Sequence, residues 1–160
     1  PACATCGPDH YTATVYRSSD HDAVLLGLSL VKSLLGTTGR DTLVGTPGDD
    51  RISGGAGADV ITGNAGADTF IYTSTRDAAD RITDFVPGTD RIDISALLQG
   101  LGYTGSNAIA DGIVRLVDSA AGLVVQIDTD GNAGPAVSRP LLTLSNVSAV
   151  QIVPTRDLGL

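Results

Sequence analysis

The chain of 160 residues contains no glutamate, because all 18 of its acidic residues are aspartates. An EF-hand loop needs a bidentate glutamate at its last position, so this absence excludes an ordinary EF-hand. The chain also has no run of about eighteen apolar residues, so no transmembrane helix is predicted. Its formal net charge of −8 disfavours nonspecific binding of nucleic acid by this segment.

An initiator methionine and an N-terminal signal peptide are absent as well. We therefore expect the chain to be the C-terminal part of a larger protein. Its length allows one or two small domains, and its apolar content of 42% suffices for a modest core. The apolar segment Ala23 to Leu35 is interrupted by glycine and polar residues, and it predicts the end of a buried strand.

Four consecutive units of nine residues occupy residues 36–71 without an insertion. Each unit has Gly at its first and fourth places, Asp at its sixth and a large apolar residue at its eighth. A fixed period of this kind indicates a stacked repeat architecture. The alternative, a flexible Gly- and Asp-rich linker, requires neither the strict phase nor the regular apolar residue. The recurring residues are Asp41, Asp50, Asp59 and Asp68, and Leu43, Ile52, Ile61 and Phe70.

Stacking brings the sixth-place carboxylates into columns, where their repulsion opposes folding unless a divalent cation lies between them. Calcium suits such a site because it accepts about six to eight oxygen ligands, including backbone carbonyls, in a loose geometry. Glycine exposes those carbonyls and permits a left-handed backbone in the turn. The three residues after each turn predict a short strand with only its middle side chain pointing inward. Since two units complete one coil, each turn is expected to stack on the turn about eighteen residues later.

The units resemble the RTX nonapeptide, Gly-Gly-x-Gly-x-Asp-x-apolar-x. The third unit, Gly54 to Thr62, matches at every fixed place, whereas Thr37, Thr46 and Asn64 replace the second glycine in the others. The resemblance implies an all-β fold, a right-handed parallel β-roll with calcium between its turns, capped by C-terminal β-strands and one short helix. It also implies that the earlier turn of a stacked pair contributes its second and fourth carbonyls and its Asp. The later turn contributes its first and third carbonyls and its Asp.

This resemblance implies two to four calcium ions, each bound between two stacked turns. The first site consists of Thr37, Gly39 and Asp41 with Gly54, Ala56 and Asp59. The second consists of Thr46, Gly48 and Asp50 with Gly63, Ala65 and Asp68. A third joins Gly55, Gly57 and Asp59 to Asp77, which lies eighteen residues after Asp59. A fourth joins Asn64, Gly66 and Asp68 to Asp80 or Asp84.

A Ser-Asp-His triplet that ends at His21 precedes a strand-like apolar run. It resembles the final catalytic motif of the endonuclease/exonuclease/phosphatase superfamily, the fold of pancreatic deoxyribonuclease. The resemblance implies that His21 activates the attacking water or stabilises the phosphoryl transition state, while Asp20 orients it or helps to hold Mg²⁺ or a similar metal. The alternative is a solvated turn that enters a strand. Because the other loops of that family are absent, the chain by itself is expected to be catalytically inactive.

Cys3 and Cys6 form a Cys-x-x-Cys pair, with His10 and His21 downstream. Four such side chains could bind zinc tetrahedrally. A disulfide, either within the pair or to another part of a larger protein, is the alternative that fits an extracellular setting. The sequence leaves the pairing open.

Residues 80–95 are similar to the segment that follows the repeats in secreted RTX proteases and lipases. Two strand-like alternations, Arg81 to Phe85 and Arg91 to Ile94, flank a Pro-Gly turn. Their apolar side chains are expected to cover the open end of the roll, since an exposed parallel edge invites aggregation. These side chains are Ile82, Phe85, Ile92 and Ile94.

Ser95 is predicted to cap a short helix over Ala96 to Leu101. The segment Asp128 to Asn132 imitates the beginning of a calcium loop, but no later Glu completes it, so we predict a turn. The end of the chain, Arg156 to Leu160, resembles the uncleaved C-terminal signal of type I secretion substrates, although alone it could be a frayed terminus. The strands predicted in this region are Ile113 to Val117 and Leu123 to Ile127, which form a hairpin, and Leu141 to Leu144 and Val150 to Val153.

The leading hypothesis is a calcium-dependent folding, stabilisation and type I secretion module of an extracellular nuclease. We expect a monomer whose partners are calcium ions and the secretion machinery, with nucleic acid bound only through a separate catalytic domain and no membrane insertion. A structural or adhesive calcium β-roll without enzymatic activity is the alternative, and a third possibility is that the segment is itself a hydrolase. The predicted regions are 1–30 (end of a nuclease-like domain), 31–35 (linker), 36–71 (repeats), 72–102 (capping segment) and 103–160 (β-rich region with the secretion signal).

Overall fold

A computed structural model describes residues 31–160 of the protein. The predictions for Asp20 and His21, and those for Cys3, Cys6 and His10, lie outside the described residues. Residues 31–160 are mostly β, with two short α-helices. In this part of the chain, no helix is long and apolar enough to cross a membrane.

Short strands separated by turns dominate the first half of the described chain, and longer strands follow. The strands are β1 (Lys32–Leu35), β2 (Thr42–Val44), β3 (Asp50–Ser53), β4 (Val60–Thr62), β5 (Thr69–Ile71), β6 (Asp80–Ile82), β7 (Arg91–Asp93), β8 (Val114–Ser119), β9 (Gly122–Ile127) and β10 (Arg139–Leu144). The helices are α1 (Ser95–Gly100) and α2 (Pro154–Asp157), with single turns of 3₁₀ helix at Gly131–Ala133 and Ala149–Gln151.

Successive short strands alternate between two parallel sheets. One sheet has the order β1-β3-β5-β7, and the other has the order β2-β4-β6-β10-β9-β8. Leu34 pairs with Ile52 and Leu43 pairs with Ile61, so each strand of the repeats lies beside the strand two units later. This register confirms the predicted parallel β-roll and the predicted coil of two units.

The register changes after the repeats, because the next two turns are longer. Ile61 pairs with Ile82 and Phe70 pairs with Ile92. The turn before β6 contains three extra residues, and the turn before β7 contains one. The parallel pairing continues nevertheless, so the two sheets absorb the extra residues in the turns and keep the strands aligned.

The core of the roll consists of the middle side chain of each strand, as the eighth-place periodicity predicts. Ile52, Ile61 and Phe70 are fully buried. The predicted capping side chains Ile82, Phe85, Ile92 and Ile94 are buried as well, and the ring centroids of Phe70 and Phe85 lie 6.0 Å apart. Each such side chain contributes about 1.5–3 kcal/mol of hydrophobic stabilisation, so this stack is the main apolar support of the repeats.

The C-terminal strands close one edge of the roll. β10 pairs in parallel with β6 and antiparallel with β9, and β8 and β9 form the predicted hairpin around Ala120 and Ala121. The predicted strand at Leu141 to Leu144 is confirmed as part of β10. Because β10 occupies the edge of β6, that parallel edge is not open to pairing with another chain.

Three local predictions are wrong. Val150 to Val153 is not a strand, since the Ser148 and Gln151 side chains form a capping box around a 3₁₀ turn. Ser95 does not cap α1 from outside, because the helix begins at Ser95 and the Ser95 hydroxyl donates to Asp93. Residues 32–35 are neither a linker nor a buried strand, since they form β1 at the edge of its sheet with Leu35 81% exposed.

The Asp128 to Asn132 segment is a loop that contains one turn of 3₁₀ helix. The Arg115 Nη2 atom lies 3.4 Å from Asp128 Oδ2 and 3.5 Å from Asn132 Oδ1. A guanidinium therefore already stands between the two oxygens that would have to face a cation. This arrangement is consistent with the predicted structural turn.

Candidate calcium columns

The turns of the roll place six aspartates in two columns. Each aspartate lies directly before the apolar segment of a strand, so the parallel register of the strands aligns the carboxylates. Column 1 contains Asp41, Asp59 and Asp80, and column 2 contains Asp50, Asp68 and Asp90. All except Asp41 are buried, with exposed fractions of 5% or less.

One carboxylate oxygen of each later aspartate is bound by the backbone of the preceding rung. The amides of Asp41 and Asp59 donate to Oδ1 of the next aspartate in column 1, both at 2.8 Å. In column 2, the Asp50 amide donates to Asp68 Oδ1 at 2.9 Å and the Asp68 amide to Asp90 Oδ1 at 3.1 Å. This repeated bond fixes each carboxylate and leaves Oδ2 for another partner.

Oδ2 has no hydrogen-bond partner in Asp59, Asp68 and Asp80, although all three atoms are buried. The other three aspartates are closed within their own turns. Their Oδ2 atoms accept from the amides of Thr37 (2.6 Å, to Asp41), Thr46 (to Asp50) and Val86 (2.8 Å, to Asp90). A buried carboxylate oxygen without a donor is costly, so the three unpartnered oxygens require a bound cation or a proton.

Backbone carbonyls face the same space between the turns. A methyl group placed on Gly36 would overlap the carbonyl of Gly54, and one placed on Gly55 would overlap the carbonyl of Thr37. A methyl group on Gly57 would lie 2.7 Å from the carbonyl oxygen of Gly39. The carbonyls of Thr37 and Gly39 thus point toward the later turn, and that of Gly54 points toward the earlier turn.

The second rung repeats this arrangement. A methyl group on Gly45 would overlap the carbonyl of Gly63 and lie 2.6 Å from Asp50 Oδ2, and one on Gly66 would lie 2.7 Å from the carbonyl oxygen of Gly48. Ala56 and Ala65 occupy the third places of the later turns, where the predicted ligand sets require a carbonyl. The turns therefore approach each other through backbone atoms, in the manner expected for carbonyl ligands.

The residue at the second place of a turn decides where its amide points. Thr37 and Thr46 direct their amides to the carboxylate of their own turn. Asn64 has a left-handed backbone with φ of 72°, and its amide donates at 2.8 Å to Asp84 in the next turn. The loss of the second glycine in the first two units therefore coincides with aspartates that are closed from within.

Burial raises the pKa of the unpartnered carboxylates. It raises the pKa of Asp68 to about 6, with further upward contributions from Asp90, Asp50 and Asp84. It raises the pKa of Asp80 to about 6, with Asp59 and Asp77 as additional causes. Both columns therefore hold negative charge that is poorly solvated without a cation.

Asp77 lies outside the columns, in contrast to the sequence-based third site. Asp59 is aligned with Asp80, because the turn between them contains three extra residues. Asp77 Oδ2 instead accepts from the amides of Thr73 and Ser74, at 2.9 and 3.0 Å. The backbone of Asp77 forms a bridge with Gly57, so this residue shapes the turn near the rung without being aligned with its carboxylates.

The predicted fourth site also differs from the structure. Asp68 is aligned with Asp90, whereas Asp80 belongs to the other column. Asp84 accepts from the amides of Gly63 and Asn64, at 2.9 and 2.8 Å, and so contacts the turn that carries Gly66 and Asp68. Sequence reasoning missed Asp90, although Asp-Arg-Ile recurs at residues 50–52, 80–82 and 90–92 and could have identified it.

The donor set consists of oxygen atoms alone. Among residues 31–160, no three or more His, Cys, Asp or Glu side chains are grouped as a metal site. A cation between two rungs would therefore be held by two carboxylates and by backbone carbonyls. Calcium accepts such mixed oxygen ligands in flexible geometry, and the unpartnered Oδ2 atoms fit that ion.

Residues 35–70 match the family of the RTX calcium-binding nonapeptide repeat, in four copies. No curated protein sequence matches the chain. The fold is similar to that of two subunits of the mannuronan C5-epimerase AlgE6 of Azotobacter vinelandii. The R2 subunit has 25% sequence identity and a TM-score of 0.54, over 78% of this chain and 91% of that one. The R3 subunit has 28% identity and a TM-score of 0.47, over 79% of this chain and 81% of that one.

These matches agree with the sequence and with the geometry of the columns. Residues 35–70 are RTX calcium-binding nonapeptide repeats, and they lie in a parallel β-roll of about three turns. The predicted recognition of the repeats, of the fold and of calcium as the bound ion is confirmed at this level.

Proposed function

We propose that the chain is a calcium-dependent folding and type I secretion module of an extracellular nuclease of the endonuclease/exonuclease/phosphatase superfamily. The observation that carries the calcium dependence is the set of buried Oδ2 atoms in Asp59, Asp68 and Asp80 that have no donor. Calcium binds in four rungs: Asp41 with Asp59, Asp59 with Asp80, Asp50 with Asp68, and Asp68 with Asp90.

Calcium concentration acts as the folding switch. In a calcium-poor cytosol, carboxylate repulsion and the entropy of the glycine-rich turns keep the repeats unfolded. With a dissociation constant of about 0.1 mM, typical of extracellular modules, each ion stabilises the fold by about 1.8 kcal/mol at about 2 mM calcium. Several ions together are needed to overcome the disordered state.

A calcium titration of the chain, followed by far-ultraviolet circular dichroism, tests the switch. We expect a cooperative gain of β-structure that a chelator reverses, and magnesium at the same concentration should not replace calcium. Calorimetry in parallel should give two to four bound ions. A spectrum that is indifferent to calcium would contradict the proposal.

The C-terminal segment supports the secretion step. In the folded chain Asp157 and Leu158 are fully buried. If Arg156 to Leu160 is the secretion signal, a transporter can reach these side chains only in the calcium-free, unfolded chain. Deletion of these five residues should abolish export by a co-expressed type I transporter, whereas Val150→Ser, at a residue 90% exposed, should leave export unchanged. Export of the deletion variant at the normal rate would contradict this role.

The nuclease assignment rests on the Ser-Asp-His motif at Asp20 and His21. The natural protein that carries this motif should hydrolyse DNA with magnesium, and His21→Ala should remove that activity while calcium-dependent folding is retained. The R2 epimerase subunit resembles this chain in fold, and its printed name ties it to an enzyme of another class. A structural or adhesive protein is therefore the alternative, and it is favoured if the natural protein has no phosphodiesterase activity.

A further inference from the structure

The last turn of column 1 carries a tyrosine where the earlier turns carry glycine. Tyr72 stands at the first place of its turn, which Gly36 and Gly54 occupy in the preceding turns of the column. A methyl group on Gly36 would overlap the carbonyl of Gly54, and one on Gly54 would overlap the Asp59 carboxylate. The first place thus lies against the oxygen atoms of the rung, and a side chain at this place is positioned to contribute an oxygen of its own.

The Tyr72 hydroxyl is buried beside two carboxylates and has no hydrogen-bond partner. Tyr72 is 1% exposed, and its hydroxyl is unpartnered in the same way as Oδ2 of Asp59 and Oδ2 of Asp80. Burial, and then the nearby carboxylates of Asp80, Asp59 and Asp77, raise the pKa of Tyr72 well above its ordinary value. The phenol is therefore neutral and lies within the field of the carboxylates.

Column 2 ends differently, which isolates the role of the tyrosine. The last aspartate of column 2, Asp90, receives the amide of Val86 on Oδ2 at 2.8 Å. The last aspartate of column 1, Asp80, receives no comparable amide. Three unpartnered oxygens, two charged and one neutral, are thus buried together at the end of column 1. Leaving all three without a partner would cost several hydrogen bonds' worth of stability.

We propose that a hard divalent cation, calcium under extracellular conditions, binds between Asp59 and Asp80 with the phenolic oxygen of Tyr72 as a ligand. Calcium accepts neutral oxygens as readily as carboxylates, so the hydroxyl can stand in for a backbone carbonyl. Two of the three side chains, Tyr72 and Asp80, lie outside the residues 35–70 that match the nonapeptide repeats. The inference rests on the proposed calcium binding of the columns and adds a ligand that the repeat pattern does not contain.

Terbium luminescence tests this ligand directly. Terbium occupies oxygen-rich calcium sites and emits after energy transfer from a nearby tyrosine, and the chain contains four tyrosines and no tryptophan. We expect strong tyrosine-sensitised emission from the full chain, and loss of most of it in Tyr72→Phe. The same variant should bind one calcium ion about tenfold more weakly, because a buried ligand oxygen is removed. Tyr103→Phe, whose hydroxyl donates to Asp111, is the matched control and should retain the emission.

Asp80→Asn provides the second arm of the experiment. It should remove one bound ion in calorimetry and also the Tyr72-sensitised emission, while the other rungs retain their ions. Circular dichroism in saturating calcium checks that both variants fold. If the parent chain binds calcium but Tyr72→Phe keeps its full emission and Asp80→Asn keeps every ion, this inference is overturned and the proposed function stands. If the parent chain binds no calcium, both fail.

Discussion

The turns of the repeats, residues 36–68, and the two turns that follow them, residues 72–90, build the same rungs from different sequences. In the repeats an aspartate recurs every nine residues, whereas Asp80 and Asp90 follow longer turns. Yet the amide of the preceding aspartate donates to Oδ1 in both regions, at 2.8 to 3.1 Å. The geometry of a rung therefore depends on the aspartate two residues before a buried apolar side chain and on parallel pairing, and less on glycine spacing.

The two regions differ in what closes their carboxylates. The first aspartates of the repeats, Asp41 and Asp50, are closed by threonine amides in their own turns. Asp59, Asp68 and Asp80 have an unpartnered oxygen, and these three lie in the middle or at the far end of the columns. The demand for calcium should consequently increase from the N-terminal rungs toward the later ones.

Replacement of Asp59 by alanine should have the largest effect, since Asp59 lies between two rungs of column 1. At about 2 mM calcium we expect a loss of about 3–4 kcal/mol, twice the contribution of a single site. The calcium concentration at the folding midpoint, followed by circular dichroism, measures this loss. Asp41→Ala, which touches one rung, is the control, and equal effects of the two variants would show that Asp59 serves only one ion.

Asp157→Asn should destabilise the later turns without removing a calcium ligand. The buried carboxylate of Asp157 accepts from the amides of Gly88 (3.1 Å) and Val153 (2.8 Å) and pairs with Arg156 at 2.6 Å. Loss of the charge should cost about 2–3 kcal/mol in urea unfolding at saturating calcium, because the remaining donors face a neutral amide. An unchanged number of bound ions would separate this packing effect from calcium binding, and an unchanged midpoint would show that α2 does not anchor turn 84–90.

Mild acid should partly replace calcium. The pKa values of Asp68 and Asp80 in the folded chain, about 6, lie above the ordinary value of 3.8. Folding therefore takes up protons between these values, so calcium-free stability is present at low pH and is lost as the pH rises through about 6. In calcium-depleted buffer, β-structure should increase from about pH 7 to about pH 5, and calcium affinity should fall over the same interval. Asp68→Asn should fold at pH 7 with less calcium dependence, and no gain of structure in acid would contradict the assignment.

Thr37→Val should have the smallest effect. The variant loses the 2.8 Å bond from Thr37 Oγ1 to Asp41 but keeps the backbone amide at 2.6 Å. Since Thr37 is exposed, we expect a loss of about 0.5–1 kcal/mol and a slightly higher calcium midpoint. Thr73→Val removes the comparable bond to Asp77, which lies outside the columns, and should leave calcium affinity unchanged. A change of affinity in Thr73→Val would place Asp77 among the ligands after all.

The regular part of the fold could be predicted from the sequence because strict periodicity fixes both the strand register and the buried face. Leu43, Ile52 and Ile61 follow the expected pairing of units two apart. The two later rungs could not be predicted from the period, since extra residues in the turns shift Asp80 and Asp90 away from the eighteen-residue offset. Only the recurrence of Asp-Arg-Ile relates them to the repeats.

Other differences arise where local composition and hydrogen bonding compete. The β-branched residues of Val150 to Val153 favour a strand, but the Ser148 and Gln151 side chains stabilise a 3₁₀ turn, and Val150 is 90% exposed. The role of Tyr72 was also beyond the sequence, because the first place of a turn is identified only after the strands are aligned. Burial and stacking partners had to be known before its hydroxyl could be related to Asp80.

The alternation of strands between two sheets has a consequence for the evolution of repeat number. Insertion of one nine-residue unit would keep every local contact but would rotate all that follows by about half a turn, with an advance of about 2.4 Å, half the usual strand spacing. An odd number of added units would thus present the β8–β9 hairpin on the opposite side of the roll relative to β1. Gain or loss of repeats can therefore reorient a neighbouring domain without altering a single rung.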